Sequence, residues 1–133
     1  MRVVIDTNVL VASVSRKSPY RLILDRLSEK EFDLYVTTDI LLEYNEVLER
    51  FYGEEVADLT LRGITMSSNV YKIETYFNLQ LINADQDDNK FVDCAFASNA
   101  HYLVTNDRDY NILRDLEFPR INLLKANEFV SLL

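Results

Sequence analysis

The sequence predicts an α/β domain built on a mainly parallel sheet. Short, β-branched apolar runs alternate with longer stretches of helical periodicity. Two of those runs are each followed by an aspartate, Asp6 and Asp107. In parallel α/β sheets ligands bind beyond the carboxyl ends of the strands, so both acids belong at one edge of the sheet.

The elements follow in order. Residues 2–5 form a β-branched strand. The apolar run MRVVIDTNVLVAS reads as one buried strand and its continuation, interrupted by Asp6, Thr7 and Asn8. A helix is expected over 18–27, with Pro19 suited to its first turn. Residues 34–37 are a short strand. Thr38 is the expected N-cap of a helix running to 51. Another helix spans 54–66 and opens on two glutamates that suit its dipole. Strand-like runs lie at 70–73 and 79–82. Asp87 or Asp88 opens a helix to 99. The strongest later strand is 102–105, followed by a short helix at 110–116, a strand at 121–124 and a helix at 126–133.

The totals narrow the class. A chain of 133 residues suits one domain and buries enough surface to need no disulfide staples. The single cysteine, Cys94, fits a reducing cytoplasm. No apolar run approaches the roughly 18 residues of a membrane span, and no signal peptide is visible. Repeats and low-complexity tracts are absent, so one domain over 1–133 is expected. A net charge of −8 argues against broad nucleic-acid binding, unless carboxylates are gathered around divalent cations that cancel their charge where a polyanion approaches.

Asp6 and Asp107 each admit a plain reading as turn residues that bond the backbone. On the 38–51 helix, Ile40, Tyr44, Val47, Leu48 and Phe51 form one apolar stripe, with Glu46 and Glu49 opposite. Glu43 alone borders the stripe. On the 88–99 helix, Asp88 begins the inward line with Val92, Ala95 and Asn99. Asp93 borders the same cavity or faces solvent, and Asp87 is better placed as a cap. If Asp6, Glu43, Asp88 and Asp107 converge, they repel. Two carboxylates about 4 Å apart cost a few kcal/mol even at an effective dielectric of about 20. A divalent cation removes that penalty, and oxygen-only ligands favour Mg²⁺ or Mn²⁺; one ion or two are both open. Such an ion lowers the pKa of bound water and stabilises a leaving oxygen. Phosphodiester hydrolysis then needs no nucleophilic Ser, Cys or His.

Four stretches carry a resemblance: DTNVLVA (6–12), TTDILLEY (37–44), DDNKFVDCA (87–95) and YLVTNDRDY (102–110). In order and spacing they resemble the PIN-domain proteins, most nearly the bacterial toxin–antitoxin toxin branch (VapC-like). The resemblance spans nearly the whole chain and implies a Rossmann-like three-layer α/β/α sandwich acting as a Mg²⁺- or Mn²⁺-dependent endoribonuclease. It implies catalytic and metal-ligand roles for Asp6, Glu43, Asp88 and Asp107, with Asp93 as a weaker fifth ligand. Asn8 resembles the residue that orients the first aspartate, and Thr105 and Asn106 the polar residues flanking the last. The partners implied are an RNA substrate, a cognate antitoxin and a second copy of the chain in a homodimer, with no membrane. His101 stands where the branch commonly has aspartate, and no catalytic consequence is expected.

The remaining residues have plainer readings. His101 is expected on a surface loop and Cys94 in the core. SRKSPYR (15–21) is the best basic cluster. Arg16, Lys17 and Arg21, with Lys90 and Arg108 beside the acids, are candidates to hold RNA phosphates or solvated charges. The second functional hypothesis is a catalytically silent PIN-like module that binds RNA or a protein. A haloacid-dehalogenase-like phosphatase would need an acid where Asn8 stands. A phosphate-receiver domain would need an acidic pair at the first strand.

Overall fold

The computed structural model describes residues 1–82 and 86–133. Asp85, at the head of the acidic stretch 85–95, lies outside them. Five strands, β1 (Arg2–Ile5), β2 (Asp33–Val36), β3 (Val70–Lys72), β4 (Tyr102–Val104) and β5 (Leu123–Leu124), form one sheet in the order β3-β2-β1-β4-β5. Every pairing is parallel. The chain builds outward from β1 through β2 to β3, then returns to β4 on the other flank of β1. The order therefore reverses between β1 and β4, where Ile5 lies opposite Val104. A crevice opens at the carboxyl ends of two strands that diverge in this way.

Helices α1 (Thr7–Ala12), α2 (Arg21–Ser28), α3 (Thr38–Tyr52), α4 (Glu54–Thr65), α5 (Asn89–Ala97) and α6 (Ala126–Leu132) complete the α/β/α sandwich, with 3-10 helices at Gln86–Asp88 and Arg108–Asp115. Helix α5 packs against β1, β2 and β4, α1 against α3, and α2 against α6. Val3, Val4 and Ile5 of β1 are wholly buried, as are Ile40, Tyr44 and Leu48 of α3. Each fully buried aliphatic side chain of this size contributes about 1.5–3 kcal/mol.

The departures from expectation have local causes. Residues 7–12 are helix α1, not a continued strand. Asp6 follows the last residue of β1 and caps α1 with no intervening loop, and the short apolar run 9–12 does not distinguish strand from helix by its period. Helix α2 starts at Arg21, later than expected, because the Ser18 hydroxyl accepts the Tyr20 N–H and holds a turn there. Thr37, not Thr38, caps α3, its hydroxyl accepting the Ile40 N–H at 3.2 Å. Phe51, placed on the apolar stripe, is 66% exposed in the last turn of α3. Helix α5 stops at Ala97, and Asn99 takes a left-handed φ of 51° just beyond, a common way for a helix to end.

Residues 79–82, read as strand-like, form no strand. Their backbone groups bond to side chains of α5 instead. Leu79 donates to an Asp93 oxygen at 3.0 Å, and the Asn89 amide pairs with both the N–H and the C=O of Ile82, at 2.9 and 2.8 Å. No helix among the described residues is long and apolar enough to cross a membrane.

Candidate active site

Asp6 stands where β1 turns into α1. Its extended backbone donates to the Val104 carbonyl at 2.9 Å, one residue past the strand. One carboxylate oxygen accepts the Thr7 N–H at 2.8 Å, and the other accepts the Thr105 hydroxyl at 2.8 Å. The side chain is buried. Burial pushes its pKa up from 3.8 to about 6; the Thr105 and Thr7 hydrogen bonds oppose the rise, and the charges of Glu43 and Asp107 add to it. Those two anions therefore bear on Asp6 from separate elements.

Glu43 comes from α3. One of its oxygens accepts the Thr7 hydroxyl and the other the Lys90 ammonium, at 2.7 Å. The next residue, Tyr44, is fully buried and donates its hydroxyl to the Ile5 carbonyl. That bond ties α3 to the end of β1, so Glu43 and Asp6 keep a constant relation. Burial holds the Tyr44 phenol well above its usual range, with Cys94, Asp6 and Glu43 adding to the effect.

Asp107 follows β4. Its N–H donates to the Thr105 hydroxyl oxygen at 3.0 Å, and its carboxylate accepts the Asp109 N–H at 2.9 Å, capping the 3-10 helix. Asp88 is buried in the turn that leads into α5. Carboxylate oxygens of Asp88, Asp107 and Asp109 all lie within 4.8 Å of one another. Tyr110, buried beneath them, donates to the Asp88 carbonyl at 3.4 Å. Burial raises its pKa far above the usual range, and the charges of Asp6, Asp88 and Asp107 raise it further.

Asp6, Glu43, Asp88 and Asp107, expected to share one site, are thus linked by contact or mutual charge at the β1–β4 crevice. Carboxylates this close cannot all remain ionised cheaply, and a donor set made only of oxygen suits a hard divalent cation. Asp109 is the member that sequence reasoning missed. Its signal was its spacing, two residues after Asp107, where an aspartate carboxylate commonly accepts the backbone N–H.

The remaining candidates separate. Asp93 is buried and, like Asp6 and Glu43, stands outside the three-acid group; it lines the cleft beside Glu43 and Lys90, it accepts the Leu79 N–H, and burial raises its pKa. Asn8 is exposed, and Thr7 and Thr105 orient Asp6 in its place. Thr105 therefore touches the site directly, whereas Asn106 accepts the Ala126 N–H at 2.9 Å and anchors α6. Arg16 and Lys17 are exposed on the loop before α2. Arg21 is tied to Asp25 at 3.0 Å and to the Val14 carbonyl, so its guanidinium is committed within the fold. His101 is exposed and its Nδ1 accepts the Arg2 N–H at 2.9 Å, while Cys94 is fully buried, both as expected. Beside Glu43 opens a cleft of about 770 Å³, lined by acids that include Asp39, Glu46, Glu74 and Asp87 as well as by Lys90.

Comparisons with known proteins bear on the fold and the family. An uncharacterized protein of Methanocaldococcus jannaschii, MJ1680, is 34% identical over 125 residues, covering 86% of this chain and 76% of its own length. A chain from the VapBC2 complex of Rickettsia felis, crystallised on a DNA fragment from its promoter, superposes with a TM-score of 0.61 at 18% identity, over 94% of this chain and 98% of that one. VapC20 of Mycobacterium tuberculosis, a toxin that cleaves the sarcin–ricin loop, superposes with a TM-score of 0.60 at 14% identity, over 82% and 92%. At such identities the two structures speak for the fold alone. A family model described as PIN domain matches residues 2–109, the segment that carries every acid of the site. This chain belongs to the PIN domain family.

Proposed function

We propose that residues 1–133 act as one PIN-like nuclease domain, a Mg²⁺- or Mn²⁺-dependent endoribonuclease serving as the toxin of a toxin–antitoxin pair. The observation that carries the reading is the meeting of Asp6, Glu43, Asp88 and Asp107 at the β1–β4 crevice, with Asp109 beside Asp107. These oxygens would hold or orient one or two divalent ions. Such an ion, when bound, supplies Lewis acidity toward a water and toward the phosphate.

The chain's own groups do the positioning. Thr105 and Thr7 hold the Asp6 carboxylate in one orientation. Thr7 and Lys90 do the same for Glu43, which is suited to align a water. Arg16 and Lys17 are exposed and lie on the connection that follows Asp6 and α1, where they would meet RNA phosphates. The net charge of −8 makes cation binding the condition for RNA to approach. The likeness to VapC20 supports an RNA substrate, and the likeness to the VapBC2 complex supports an antitoxin partner. The compartment is the cytoplasm, and a homodimer is the expected assembly.

The test is cleavage of a structured RNA panel by purified protein with Mn²⁺, with EDTA, and with Asp6→Asn. Expected are cuts that need Mn²⁺ and vanish in the variant while its circular dichroism is unchanged. Cleavage that persists in EDTA, or in Asp6→Asn, would overturn the assignment.

A further inference from the structure

We infer that Lys90 is a resident cation that neutralises Glu43 and limits the centre to one divalent ion, held on the side of Asp88, Asp107 and Asp109. The inference rests on the metal-dependent reading above and deepens it.

Asp88, Asp107 and Asp109 bring oxygens within 4.8 Å of one another; Asp6 and Glu43 stand outside that group, and Asp6 feels the charges of both Glu43 and Asp107. Both Glu43 oxygens already have hydrogen-bond donors, the Thr7 hydroxyl on one side and the Lys90 ammonium on the other, at 2.7 Å. The two side chains of the ion pair are only 22% and 24% exposed, so water screens the pair weakly. The ammonium also lies 5.6 Å from the centroid of the Phe91 ring, whose side chain is fully buried, within the range of a cation–π attraction.

One element sets both halves. Asp88 leads into α5 and Lys90 sits in its first turn, so the helix that delivers Asp88 to the aspartates delivers Lys90 to Glu43. A second divalent ion on Glu43 would have to expel an ammonium held by these contacts or bear its repulsion at close range. Among the described residues lining the cleft, Lys90 is the single cationic side chain. Its pairing with Glu43 makes it a counterion for the protein's own acid before any phosphate arrives. Glu43 then acts as a positioning residue, through Thr7 and the water-facing edge of the cleft.

The experiment is a Mn²⁺ titration by calorimetry, with free Mn²⁺ counted by electron paramagnetic resonance. The samples are the wild-type chain, Lys90→Met and Lys90→Arg, with folding checked by circular dichroism. One ion per chain is expected in wild type and Lys90→Arg, and a second in Lys90→Met. Two ions in wild type, or one in a folded Lys90→Met, overturn the inference. If Lys90→Met does not fold, Lys90→Gln decides: it also removes the ammonium and should bind a second Mn²⁺, and a single ion there overturns the inference. No Mn²⁺ uptake by wild type at all overturns the metal-dependent reading itself, a distinct result.

Discussion

Replacing Asp6 with asparagine should abolish cleavage and yet make the metal-free protein more stable at neutral pH. An ordinary aspartate loses its proton near 3.8, and Asp6 does so at about 6 because it is buried beside Glu43 and Asp107. Between those values the folded chain binds more protons than the unfolded chain. Its stability therefore falls as the pH rises through that window, and the loss is complete above it. Two pH units at about 1.4 kcal/mol each put the penalty at about 3 kcal/mol. The asparagine of the variant carries no charge to desolvate and still offers an oxygen to the Thr7 N–H. It loses the charge-assisted bond from Thr105, which offsets about 1 kcal/mol of the gain. The net stabilisation is about 2 kcal/mol at pH 7.5, falling towards zero or below near pH 4, where the wild-type carboxyl is protonated. Urea denaturation in EDTA across that range measures it, and the melting temperature should rise by several degrees at pH 7.5. Adding Mn²⁺ should narrow or reverse the difference, because an ion that binds the folded wild type more tightly than the variant stabilises it more by mass action. Parallel pH profiles for the two proteins, or a variant less stable at pH 7.5, would refute the reasoning.

Other perturbations follow from the same contacts. Asn69→Ala strips donors from the buried carbonyls of Leu27 and Phe32, at 2.9 and 2.8 Å, and should cost about 2–4 kcal/mol in urea denaturation; a neutral result would mean water replaces the amide. Asp109→Ala should weaken Mn²⁺ affinity by about tenfold or more, measured by calorimetry, and unchanged affinity removes Asp109 from the centre. Cys94 is fully buried and burial pushes its thiol up to about 12. It should resist a thiol reagent at pH 8 in the native protein and react once guanidinium unfolds the chain. Fast native labelling would show that α5 opens readily.

What could be read along the chain was whatever has a local period or a local cap. The β1 run, the stripe that separates Glu43 from Glu46 and Glu49, and the acid-led start of the α5 region all show within a few neighbouring residues. Charge repulsion among the four acids already suggested a shared cation, and the resemblance to PIN domains added their ordered roles and named Asn8 beside them. Where two structures share one local pattern, the reading went astray: residues 7–12 are equally apolar as strand or helix, and residues 79–82 look like a strand but bond to Asn89 and Asp93 of α5.

Tertiary structure alone decided the rest. Thr105 orients Asp6 across 99 positions because β4 pairs with β1 rather than with β3. Lys90 reaches Glu43 across 47 positions because α5 packs against the central strands and beside α3. Periodicity says which side of an element is buried, since that depends on the element's own geometry. Which residue lies opposite depends on strand order and register, and these are set by packing among segments far apart in the chain.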